Sequence, residues 1–147
     1  MLRRARRLSG REWLDFGHSQ WALLVARARL RFRPPGWLVT RGLPAEQSAS
    51  GSGDDFAPRA TELARAVDRA SRYGPSRPSC LVRALALQHL LLAEGIPDGR
   101  IRIGVRRDAS GGVGAHAWVT CGSLVFDASD DSGPEYTVLK DLRVEWQ

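Results

Sequence analysis

Cysteine is scarce in this chain, with only Cys80 and Cys121 among 147 residues. A disulfide framework needs more than that, so a reducing compartment fits best and the cytoplasm is the expected location. Long apolar runs are missing too: no stretch of eighteen apolar residues occurs, and no membrane-spanning helix is expected. The run Trp21-Ala22-Leu23-Leu24-Val25-Ala26 after an arginine-rich start is too short for a signal peptide, and Arg27 interrupts it. Three histidines and two widely spaced cysteines make a weak zinc set, so no metal is expected. Neither a glycine-rich phosphate loop nor an internal repeat is visible, so no cofactor is expected.

What is present is one domain's worth of core and an uneven charge. At 147 residues and 43% hydrophobic content the chain can build one core but not two. Residues 1–41 carry ten arginines against Glu12 and Asp15, net +8; the remainder carries twelve basic and fourteen acidic residues, net −2. The whole +6 therefore belongs to the N-terminal arm. Arg27, Arg29, Arg31 and Arg33 read as the solvated side of an amphipathic helix whose Trp21, Leu24, Val25, Ala28 and Phe32 pack inward. Arg3, Arg4, Arg6 and Arg7 lack an apolar counterpart and are the candidates for contact with an acidic partner. Glu12 and Asp15 read as ion-pair partners on that helix.

The layout follows from punctuation. Residues 1–44 form a basic helix, from about Gly10 to Phe32, ended by Pro34-Pro35 and followed by an apolar turn around Trp37-Leu38. Residues 45–55 are a flexible Ser/Gly connector. Residues 56–147 form the main folded core. There Phe56, Ala60, Leu63, Val67 and Ala70 mark one face of a helix capped by Asp54 or Asp55. Pro75 and Pro78 then restrict the turn into a second helix, which starts at Ser79-Cys80-Leu81-Val82-Arg83 and stops at Gly95. Ile101, Ile103 and Val105 alternate with polar positions as a strand does. Strands over 115–120 and 123–127 follow, with a last one near Tyr136-Thr137-Val138-Leu139. The fold class is α+β: helices packed on a small antiparallel sheet.

Cys80 falls in the first turn of its helix, where unpaired amide N–H groups and the positive end of the helix dipole favour an anionic side chain. If Cys121-Gly122 is the two-residue hairpin loop, cross-strand partners have numbers that add to 243, and 116 plus 127 is 243. His116 and Asp127 then face each other directly. An Asp beside an imidazole orients it, and the imidazole serves a nearby thiol as base and later as acid. The backbone N–H of Cys80 is a natural oxyanion donor, and Gln88, two turns down the helix, is a poor second. Trp118 either shields His116 from water or fills the core, and with Arg3, Arg4, Arg6 and Arg7 it is a candidate for substrate or partner contact. Trp13, Trp21, Trp37 and Trp146 read as packing or interface residues, Cys121 as an incidental thiol, and His18 and His89 as histidines without a role in the site.

The run Cys80-Leu81-Val82-Arg83-Ala84-Leu85-Ala86-Leu87, then Gly95-Ile96-Pro97, then Ile101-Arg102-Ile103-Gly104-Val105, then Ala115-His116-Ala117-Trp118-Val119, resembles the stand-alone leader peptidases of lasso-peptide biosynthesis. These are transglutaminase-like cysteine proteases with a papain-like core. The resemblance covers most of the chain. It implies Cys80 as nucleophile, His116 as base and Asp127 as orienter, with a hairpin about one residue shorter than the family's between His116 and Asp127. It also implies a precursor peptide as substrate, a separate leader-recognition protein, and an asparagine-synthetase-like cyclase as downstream partner, with no nucleic acid among the partners. The residues alone leave two alternatives open. One is another acyl transfer on the same triad, since a triad sets the nucleophile and not the acceptor. The other is an arginine-rich peptide or nucleic-acid adaptor without catalysis.

Overall fold

The computed structural model describes residues 9–32, 55–75, 77–96, 99–107, 110–127 and 137–142. Three helices, α1 (Gly10–Phe32), α2 (Ala57–Tyr73) and α3 (Cys80–Ala93), pack together against a four-stranded sheet. Its strands are β1 (Gly99–Arg107), β2 (Val113–Cys121), β3 (Leu124–Phe126) and β4 (Thr137–Leu142), in the order β3-β2-β1-β4. All pairings are antiparallel. This is the expected α+β layout. Arg3, Arg4, Arg6 and Arg7, the turn around Trp37 and nearly all of the connector lie outside the described residues, as does Trp146.

Local groups close the starts of α1 and α3 and the end of α3. Ser9 and Glu12 form a reciprocal capping box at the start of α1: the Ser9 N–H donates to Glu12 Oε2 at 2.7 Å, and the Glu12 N–H to Ser9 Oγ at 3.3 Å. Helix α2 departs from expectation. Its N-cap is Phe56 with no side-chain cap bond, so Asp55 is not the cap, Asp54 lies outside the described residues, and Pro58 at the start of the helix needs no N–H partner. Helix α3 starts as read, with Ser79 accepting from the Val82 N–H at 3.4 Å. It stops at Gly95, whose φ of +75° lets the Ile96 N–H reach Leu91 O at 2.8 Å and the Gly95 N–H reach Leu92 O at 3.0 Å.

Core residues come from all three helices and both central strands. Leu63, Val67, Leu85, Leu91, Ile101 and Val119 are each at most 4% exposed. Helix α1 corrects the sequence reading. It turns Asp15, Ser19, Ala22, Leu23 and Ala26 inward, while Trp21, Leu24 and Phe32 are 66, 53 and 81% exposed and Ala28 is exposed as well. Both sides of this helix carry apolar residues. The side that packs is the one whose small residues let a neighbouring helix approach closely, as helix packing distances require.

Three helices are also tied by one cation. Arg59 on α2 donates from Nη1 and Nη2 to Asp15 of α1 at 2.7 and 2.9 Å, and from Nη2 and Nε to Glu94 at the end of α3 at 2.6 and 3.2 Å. A fifth contact reaches Glu62 at 3.1 Å. These hydrogen bonds hold the Asp15 and Glu94 carboxyls below their ordinary pKa values, against the opposing effect of burial.

Candidate active site

The β2–β3 hairpin decides the site, and its register is not the one the sequence suggested. Val119 pairs with Phe126, Thr120 with Val125 and Cys121 with Leu124, so partner numbers add to 245 and the loop is Gly122-Ser123. Gly122 takes φ of +58°, the left-handed conformation that such a tight turn demands. Cys121 consequently ends β2 as a buried thiol, 1% exposed, instead of sitting in the loop; neither it nor Cys80 is in a disulfide. Extending the register sets Asp127 across from Trp118, diagonal to His116. A slip of two positions leaves every side chain on its original face, because the strand period is two.

The expected contact therefore survives the change of register. His116 Nε2 lies 2.6 Å from Asp127 Oδ1. Diagonal cross-strand neighbours remain within reach of such side chains. With Nε2–H donated to the carboxylate, the neutral imidazole carries its basic lone pair on Nδ1. His116 is 9% exposed, and its ring stacks on Trp118 with centroids 5.9 Å apart and 20° between planes. Trp118 thus lies beside the imidazole and is itself only partly buried.

Cys80 is the first residue of α3 and only partly buried, so its sulfur lies at the surface of the core. Its own N–H, at the helix start, has no acceptor within the helix. Gln88, by contrast, is fully buried and donates to Gly99 O at 3.0 Å, a structural bond that ties α3 to β1. A cavity of about 590 Å³ opens beside Cys80 between α2, α3 and the β2–β3 hairpin. Cys80, Trp118 and Asp127 all line it. His116 is not in its wall, but both groups that hold the imidazole are. The structure thus links the three expected residues as two overlapping pairs: Cys80 with Asp127 along one cavity, and Asp127 with His116 by a hydrogen bond.

The sequence reading missed the charged lining of this cavity. Arg65, Arg69 and Arg72 of α2 line it, as do Asp68 and Arg83. Their spacing, i, i+4 and i+7, was legible as one helix face, but nothing in the sequence said that this face borders Cys80. Asp68 accepts from Arg83 at 2.7 Å and pairs with Arg72 at 3.0 Å. His89 lies well down α3 from Cys80; burial, assisted by Arg29, pushes its pKa below the ordinary imidazole value. No cluster of residues suited to a metal ion occurs among the described residues, and no described helix is long and apolar enough to cross a membrane.

The sequence model described as the transglutaminase-like superfamily matches residues 22–141, a span that includes α2, α3, the strand bearing His116, and Asp127 just after β3. No curated protein and no solved structure matches the chain.

Proposed function

The chain belongs to the transglutaminase-like superfamily, and from that premise we propose that it is a cysteine peptidase which removes the leader from a ribosomally made lasso-peptide precursor. One observation carries the peptidase reading. Asp127 holds His116 at 2.6 Å and lines the same cavity as Cys80, which stands at a capped helix start. The leader-specific part rests on the likeness of the Cys-Leu helix and the His-Ala-Trp strand to the leader peptidases.

In the proposed reaction the Cys80 thiolate attacks the scissile carbonyl carbon, and the developing oxyanion is met by the Cys80 N–H. Protonated His116 gives its proton to the leaving amine as the C–N bond breaks, which leaves a thioester on the sulfur. Water then loses a proton to His116 and attacks the thioester. The C–S bond breaks, the leader departs as a carboxylic acid, and the freed amine remains on the core peptide. Asp127 keeps the imidazole in the tautomer that accepts at Nδ1 and stabilises the imidazolium.

Its partners in this reading are the precursor, a separate leader-recognition protein and an asparagine-synthetase-like cyclase that uses the released amine, all in the cytoplasm. Arg3, Arg4, Arg6 and Arg7 are proposed as the contact to an acidic partner. The decisive experiment is mass spectrometry of a candidate precursor after incubation with the enzyme and with Cys80→Ala. Cleavage at one site by the native protein, abolished in a variant that still folds, supports the reading; near-native cleavage by the variant overturns it. Equal rates with and without the recognition protein count against that partner.

A further inference from the structure

The cavity beside Cys80 carries more positive charge than its internal ion pairs consume. Arg72 and Arg83 share Asp68, at 3.0 and 2.7 Å, and Arg69 meets Glu12 only at 3.7 Å. Arg65 lines the same wall, is exposed, and forms no ion pair among the described residues. We propose that this wall selects peptides bearing two carboxylate side chains two residues apart, received by Arg65 and Arg69. The inference rests on the peptidase reading for the identity of the ligand as a peptide, and it names the substrate class of that same site.

Two features of the groove point to an extended chain as its occupant. The wall opposite α2 is β3, a three-residue strand at the edge of the sheet, with Val125 62% exposed. An edge strand offers backbone N–H and C=O groups to an added strand, which is a common mode of peptide capture. Arg65 and Arg69 are one turn apart, about 6 Å along α2. A peptide laid against β3 rises about 3.3 Å per residue and points alternate side chains the same way, so residues i and i+2 match that spacing. The short loop between α2 and α3 and the Arg83–Asp68 contact place Cys80 near the Arg72 end of the groove. The two carboxylates then fall about two and four residues from the scissile bond.

The test uses the full-length protein with Cys80→Ala, immobilised and exposed to a positional-scanning decapeptide library; retained peptides are sequenced by mass spectrometry. Peptides with Asp or Glu at i and i+2 should be retained about tenfold over their Asn and Gln counterparts, the gain expected of two exposed ion pairs, and 0.5 M salt should largely erase the difference. The Arg65→Gln/Arg69→Gln variant should lose the preference, and Arg65→Glu/Arg69→Glu should reverse it toward Lys and Arg. Equal retention of acidic and amide peptides, or an acidic preference that persists in both variants, overturns the proposal. Cleavage is read separately by offering the retained peptides to the native enzyme. Acidic selection without cleavage counts against the peptidase reading and leaves the groove's specificity standing.

Discussion

Replacing Arg59 with methionine should be among the costliest single changes outside the core. The methionine keeps the apolar stem and removes the guanidinium that joins α1, α2 and the end of α3. Asp15 is left with its side chain only 11% exposed and without its closest partner. Breaking a buried pair costs roughly 3–5 kcal/mol, but this carboxylate retains some contact with water, and the exposed Glu94 and Glu62 pairs add only about 0–1 kcal/mol. The expected loss at pH 7 is about 2–4 kcal/mol, or roughly 6–16 °C in Tm for a chain of this size. The pH dependence gives a second reading. Asp15 and Glu94 have folded-state pKa values below their ordinary 3.8 and 4.5, so the stability they contribute is present above those values and lost as pH falls through the lowered ones. The penalty of Arg59→Met should therefore shrink as pH drops toward 3. Urea denaturation followed by circular dichroism at pH 7, 5 and 3.5 measures this. A loss under 1 kcal/mol at pH 7, or one that grows on acidification, refutes the reasoning. Asp15→Asn in the Arg59→Met background should recover part of the loss, since it removes the stranded charge.

Other expectations are open to direct measurement. His116→Ala should lower kcat/KM on the precursor by roughly 10²–10⁴, the range of general acid–base catalysis. Asp127→Asn should cost less, because its side chain is 33% exposed and water can take its place at Nε2; equal losses would contradict the orienting role. His89 has a lowered pKa in the fold, so the unfolded chain takes up its proton first as pH falls below about 6.5, and stability declines there. A flatter stability profile between pH 7 and 5.5 in His89→Gln checks this. Gly74→Ala would set a methyl 2.5 Å from Ala70 O, the atom that also accepts from Gln20 Nε2 at 2.8 Å. The expected cost is about 1–3 kcal/mol, read from the urea midpoint.

Much of this fold is written locally. The starts of α1 and α3 depend on Ser9-Glu12 and Ser79, and the stop of α3 on Gly95. Such signals act over one turn of chain, which is why the bounds of α3 could be read from Ser79 and Gly95 with no knowledge of neighbours, as the end of α1 could from Pro34-Pro35. The juxtaposition of His116 and Asp127 was legible for a similar reason. Alternation fixed their common face, and the hairpin brought them close even though the loop turned out to be Gly122-Ser123.

Sequence by itself determined the α+β class, the bounds of two of the three helices and the identity of the three candidate catalytic residues. Only the tertiary structure decided which face of α1 is covered, that Arg59 locks three helices through Asp15 and Glu94, and that Arg65 and Arg69 border the cavity beside Cys80. The physical reason is range. Caps and strand periodicity are settled by atoms a few residues apart. The choice between two apolar faces of one helix depends instead on how closely another surface can approach, and that surface comes from elsewhere in the chain.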